Sequence, residues 1–208
     1  MIYTPYMKTR AEKGGTKQRI LRAACAVLER EGIEAVSIRK IARMVEITPM
    51  GIYNHFPNLE ALMVAVYEQG VAKLARLVWK GIARAKTPAE KLRSLTGSYI
   101  AFGMKHPRYY SLLFGSEFIQ KYSWENPPRS LVMENFWVPL TEVIEACQQA
   151  GVIQPDCNPQ EVATHLWAAM HGYVSFLLIG RLQQLWQMDE QSILRAMEKH
   201  LLPFRIKE

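Results

Sequence analysis

The sequence predicts an all-α fold, an N-terminal three-helix helix-turn-helix domain followed by a C-terminal helical bundle, about nine helices in total. Three observations predict it: apolar residues recur at the 3.6-residue helical period in nearly every segment, no stretch keeps the alternation of a strand, and helix-capping signals punctuate the chain. With 208 residues, 49% of them hydrophobic and 22% charged, the chain is long enough to bury a core and too apolar for disorder.

The elements follow in order. Residues 1–15 are polar, end in Gly14-Gly15 and read as a mobile basic arm. A helix from Thr16 to Glu31 carries Ile20, Leu21, Ala24, Val27 and Leu28 on one stripe, and Gly32 stops it. Ser37 caps a short second helix with Ile38, Ile41, Ala42 and Val45 at i, i+3, i+4 and i+7. Thr48-Pro49 opens a brief third helix, expected to reach His55 before Phe56-Pro57. A long helix is expected from Asn58 to Arg84. Thr87-Pro88-Ala89-Glu90 is a capping box for a helix to Lys105. His106-Pro107 begins a short helix through Phe114, and residues 115–130 read as an irregular connection. Arg129 to Ala150 reads as one helix stopped by Gly151, Asn158 caps another running to Arg181, and Asp189 caps a last one ending near Leu202-Pro203. The expected division is a basic arm at 1–15, a helix-turn-helix domain at 16–58, and a ligand-sensing and dimerising body at 59–208.

Charge separates the same regions. Residues 1–58 hold ten Lys/Arg against five Glu, giving +5 of the net +7, and residues 59–208 hold sixteen basic against fourteen acidic side chains. A basic end on a near-neutral body suits contact with a polyanion. Three short helices in 16–56, the last two tightly joined, have the form in which the second helix of the pair enters the DNA major groove. Ser37 and Thr48, at helix starts, are placed to meet phosphates with Arg39 and Lys40, and Tyr53 and His55 can donate hydrogen bonds to phosphate oxygens. Ile38, Ile41, Ile52 and Phe56 read as core. Tyr53 also fits a core position, although packing alone does not explain a Tyr-x-His-Phe ending.

The stretch SIRKIARMVEITPMGIYNHFPNLEALM resembles the DNA-binding signature of the TetR family of repressors. Ile38, Ile41, Ala42, Ile47, Thr48, Ile52, Tyr53, His55, Phe56 and Leu62 fall in place, and the match spans Gln18 to Met63. The resemblance implies that Tyr53 and His55 contact phosphates while Pro49, Met50, Gly51 and Asn54 face the groove. Three residues depart from the pattern. Glu46 stands where the family has the turn Gly, so the turn is expected to be strained or differently shaped. Met50 replaces the usual Gly, and Leu59 stands near a position that is usually basic. The groove face holds no Arg, Lys or Gln. Asn54 offers the one bidentate adenine pairing, and Met50 can touch a thymine methyl. The expectation is modest direct readout with a large phosphate and shape component.

His106-Pro107-Arg108-Tyr109-Tyr110 and Trp167-Ala168-Ala169-Met170-His171-Gly172 resemble the Trp-His-Gly class of TetR C-terminal domains. The resemblance implies a homodimer through the last two long helices, roughly 159–181 and 189–202, and an effector whose binding tilts the fourth helix. The aromatic middle of the chain supplies a candidate pocket, Phe102, Tyr109, Phe114, Phe118, Trp137, Trp167, Met170 and His171, for a small apolar or aromatic effector. Side chains of this kind more often fill a core than line a cavity, and a lone buried histidine such as His171 is more often bonded to a backbone carbonyl than a polar handle for a ligand.

Other classes fit less well. The sequence has no Gly-rich phosphate loop, HExxH, GxSxG or clustered His/Cys/carboxylate set, so no enzyme, metal site or cofactor is expected. Cys25, Cys147 and Cys157 lack CxxC spacing. The N-terminus has no signal-peptide core, and Val162–Leu182, the most apolar stretch, carries Thr164, His165 and His171, which argues against a membrane span. A cytoplasmic protein is expected. The reading is a ligand-responsive regulator, by family default a repressor, binding a palindromic operator in double-stranded DNA as a homodimer. The alternative is a ligand-independent architectural DNA-binding protein.

Overall fold

The computed structural model describes residues 15–115, 133–180, 187, 191–192 and 195. Of the expected arm at 1–15 only Gly15 is described, of the connection at 115–130 only Gly115, and of the helix expected at 189–202 only residues 191–192 and 195, which are helical; Phe118 and the helix start at Arg129 lie outside the described residues. Among the described residues there are eight α-helices and no strand: α1 Thr16–Glu31, α2 Ile38–Val45, α3 Pro49–Tyr53, α4 Leu59–Ile82, α5 Pro88–Lys105, α6 Pro107–Phe114, α7 Val138–Gln149 and α8 Pro159–Leu178. The chain forms two compact units, residues 1–72 with 108–128, and residues 73–107 with 129–208.

In the first unit, Ile20, Ala24, Val27 and Leu28 of α1 are buried together with Ile41, Ala42 and Val45 of α2 and Ile52 of α3. Gly32 ends α1 in the positive-φ region, its N–H donating to the Leu28 carbonyl at 3.0 Å. Ser37 caps α2 by accepting from the Lys40 N–H at 3.4 Å, and Thr48 caps α3 by accepting from the Gly51 N–H at 3.1 Å. α3 stops at Tyr53, short of His55. Its last turn tightens, His55 N–H donating to the Ile52 carbonyl at 2.8 Å, so that the chain can turn into Phe56-Pro57. Asn58 accepts from the Ala61 N–H at 2.7 Å at the head of α4. Gly70 of α4 meets α6 closely: a Cβ there would lie 2.8 Å from the Tyr109 ring and 3.3 Å from Leu113.

In the second unit, α8 packs on α5 and α7, and α5 on α7. Leu92, Leu95, Tyr99, Phe102, Phe136, Leu140, Ile144, Cys147, Ala163, Met170 and Val174 form its buried centre. The capping box is present in full: Glu90 N–H donates to Thr87 Oγ1 at 3.2 Å, and Lys86 and Thr87 N–H groups donate to the Glu90 carboxylate at 2.7 and 3.3 Å. Those two backbone donors hold the Glu90 carboxyl below its usual range. Asn158 caps α8 by accepting from the Gln160 and Glu161 N–H groups at 2.8 and 3.3 Å. The helix expected as continuous to Ala150 differs from that reading. Met133–Trp137 form a π-type turn ahead of α7. Pro139 explains it, because proline lacks the N–H for the Asn135 carbonyl and its ring crowds that carbonyl.

Candidate nucleic-acid interface

Residues 37–55 place the helix-turn-helix side chains as follows. Ser37 and Arg39 are exposed on the first turn of α2. Lys40 is partly covered and forms an ion pair with Glu31 at the end of α1, a contact that keeps the Glu31 carboxyl low. Both partners are exposed enough for salt or a phosphate to compete for the ammonium. Thr48, Pro49, Met50, Tyr53 and Asn54 are all exposed, and His55 is half-buried. Gly51 differs: a Cβ there would touch Ile47 at 3.5 Å, so the position faces the α2–α3 turn and offers no outward side chain. Each capping hydroxyl accepts one N–H through a lone pair, which leaves its O–H to donate to a phosphate oxygen.

The turn resolves the question raised by Glu46. It sits at φ 58°, ψ 46°, the left-handed conformation that a glycine takes there without strain. Its N–H donates back to the α2 carbonyls of Ala42 and Arg43. The turn keeps its shape, and the side chain bears the strain.

Two residues that the sequence reading did not single out hold this hairpin in place. Arg19 of α1 donates from Nη2 to the Val45 carbonyl at 2.8 Å, satisfying a C-terminal acceptor of α2. Lys17 places its ammonium 5.4 Å from the centre of the Phe56 ring. Nothing local marks either residue, because both partners lie more than twenty positions away.

The candidate effector residues divide between the units. Tyr109 and Phe114 belong to the first, where Tyr109 is buried and desolvation, with Cys25 beside it, pushes its phenol up. Phe102, Trp137, Trp167, Met170 and His171 belong to the second. Phe102 and Met170 are fully buried. Trp167 stacks on His171 at 5.3 Å between centroids and lies tilted by 50° against Trp137 at 5.4 Å, and Trp137 lies edge-on to Phe136 at 6.2 Å. His171 Nδ1 lies 3.3 Å from the buried Tyr99 hydroxyl, and burial lowers its pKa, favouring the neutral ring. Trp167 Nε1 is buried with no acceptor among the described residues, an uncommon state for an indole N–H. No group of three His, Cys, Asp or Glu suited to a metal occurs among the described residues, and no described helix is long and apolar enough to cross a membrane.

Geometry of this kind, two capped helices joined through a left-handed turn with a basic flank, defines a helix-turn-helix DNA-binding protein. The sequence model described as "Bacterial regulatory proteins, tetR family" matches residues 20–66, and "Tetracyclin repressor-like, C-terminal domain" matches residues 92–200. The chain belongs to the TetR family of helix-turn-helix transcriptional regulators. It is similar to the uncharacterized HTH-type transcriptional regulator YobS of Bacillus subtilis, 28% identical over 97 residues that cover 47% of this chain and only 50% of the relative. The HTH-type transcriptional regulator UidR of Escherichia coli is 29% identical over 73% of this chain and 75% of its own. A solved structure of a protein from Rhodococcus sp. RHA1, described as of unknown function, shares the fold at a TM-score of 0.75, 21% identical over 97% of this chain and 98% of that one.

Proposed function

We propose that this chain is a ligand-responsive repressor that binds a palindromic operator as a homodimer, with residues 16–58 contacting DNA and residues 59–208 sensing an effector and dimerising. The observation that carries the proposal is the exposed face of Thr48, Pro49, Met50, Tyr53 and Asn54, held by two hydroxyl caps and the Arg19 bond. Ser37, Arg39, Lys40, Thr48, Tyr53 and His55 supply phosphate contacts, which fix register and carry most of the affinity.

Dimerisation is supported by the outward face of α8. Ala168 is exposed, Phe176 and Ile179 are 50% and 61% exposed, and a Cβ built at Gly172 meets no described atom within 4 Å. These positions follow i, i+4, i+8 and i+11, one face with room for a close helix partner. The effector reading is supported by the Trp137–Trp167–His171 ring cluster and the buried Trp167 donor. An uncharged, largely apolar or aromatic molecule carrying an acceptor suits them, and the Trp-His-Gly subclass fits the same residues. Such a ligand regulates only through its difference in affinity between the DNA-binding and released states.

The test is selection of bound DNA from a random pool, followed by competition against unrelated DNA and sedimentation of the free protein. A regulator enriches one short palindrome, binds it at two protomers per site, and prefers it by at least about a thousandfold. Nearly equal affinity for all duplexes establishes the architectural alternative.

A further inference from the structure

We propose that Met50 reads sequence at this interface, and that the group it reads is the C5 methyl of a thymine in the major groove. This rests on the DNA-binding reading above and adds the chemical feature that is recognised.

Met50 is 69% exposed, a large share for an apolar side chain of this length. Its direction is fixed by the helix around it. Thr48 caps α3, Pro49 fixes the next φ, and fully buried Ile52, two positions on and therefore about 200° around the helix, points Met50 outward. Tyr53 and Asn54, at i+3 and i+4, share that outward face, whereas Gly51 is turned against Ile47. The face thus consists of one long thioether with Tyr53 and Asn54 beside it.

A thioether has no hydrogen to donate, and its sulfur is a weak acceptor. Against a guanine, adenine or cytosine edge it would cover polar groups without pairing them, a loss in affinity. The thymine C5 methyl is the apolar group that the major groove offers. An unbranched side chain with three rotatable bonds adapts its reach to it. The surroundings specify DNA over an apolar protein surface: Arg39 and Arg43 are exposed on α2, and residues 1–58 carry five of the seven net positive charges.

Removing one buried methyl costs about fourfold in affinity. The enriched site from the random-pool selection is therefore resynthesised with each thymine replaced singly by deoxyuridine, which lacks only that methyl. Binding is measured for the full chain and for Met50→Ala, with circular dichroism confirming that the variant is folded. One position per half-site should lose about fourfold with the natural protein, and Met50→Ala should bind the thymine and uracil duplexes equally. A second variant, Met50→Gln, put through the same selection, should enrich adenine at that position, because glutamine pairs bidentately with its edge. Indifference of the natural protein to every uracil, or the same loss with Met50→Ala, overturns the assignment while leaving DNA binding intact. Failure to enrich any sequence removes the sequence-specific operator reading, and this proposal with it.

Discussion

Substituting alanine for two helical glycines separates the packing of α4 against α6 from intrinsic helix preference. In an open helix interior, Gly→Ala stabilises by about 1 kcal/mol, because glycine gives up more backbone freedom on folding. Gly97 in α5 is such a place, since a Cβ there meets no described atom within 4 Å. At Gly70 the same Cβ would stand 2.8 Å from Cδ1 of Tyr109 and 3.3 Å from Cδ2 of Leu113, both side chains buried. Neither neighbour is a loose end that can swing away, and forcing a methyl into a packed core costs about 1–3 kcal/mol. Taking about 2–3 kcal/mol for a clash with an enclosed aromatic ring, the net change for Gly70→Ala is a loss of about 1–2 kcal/mol. The two variants should thus move in opposite directions by about 2–3 kcal/mol in total. Urea denaturation at one fixed protein concentration reads the difference from the midpoints, provided the slopes agree. A Gly70→Ala protein as stable as the Gly97→Ala protein would refute the close approach of α4 and α6.

Three further outcomes follow from the site. Arg19→Gln removes the donor to the Val45 carbonyl and should cost about 1–2 kcal/mol of stability, with weakened DNA binding beyond the loss of one charge. Arg22→Gln on the same helix serves as the charge control in a salt titration. Glu46→Gly relieves the left-handed strain and should raise the melting temperature, by about 1 kcal/mol of stability, while leaving the turn unchanged in amide spectra; a lower melting temperature refutes the strain. His171 has its pKa lowered by burial, so above its ordinary value of 6.5 both folded and unfolded forms are neutral and stability is unaffected. Below 6.5 the unfolded chain takes up the proton first, so stability falls as pH drops toward the folded-state value. His171→Gln should flatten that part of the pH–stability profile, and an unchanged slope would show that the ring is not held neutral by burial.

Much of the fold could be read from the chain because its helices are bounded by local chemistry. Ser37, Thr48, Thr87 and Asn158 each accept a backbone N–H within three residues, so the reading placed four helix starts to within a residue. The apolar stripe of α1 and the motif from Ser37 to Phe56 were legible for the same reason. What escaped the reading depends on neighbours remote in sequence or on a local geometric conflict. Arg19 and Lys17 gain their roles only when Val45 and Phe56 fold against α1. Pro139 lies inside the stretch read as one helix, and the sequence reading did not single it out. Gly51 was expected to face the groove, and its closeness to Ile47, which a Cβ there would meet at 3.5 Å, is a tertiary fact that sequence spacing does not fix. The aromatic set was the least legible. Composition grouped Tyr109 and Phe114 with Trp137 and Trp167, whereas the fold assigns them to different compact units.

The two tethers on α1 also bear on how the α2–α3 hairpin behaves as a unit. Arg19 grips the end of α2 and Lys17 lies over Phe56 just beyond α3, so the recognition hairpin is fastened at both ends to one sixteen-residue strut. A hairpin braced in this way transmits displacement without being remoulded. The contacts that present Thr48, Tyr53 and Asn54 thus move with α1 as one piece, and a change at either tether alters all three together.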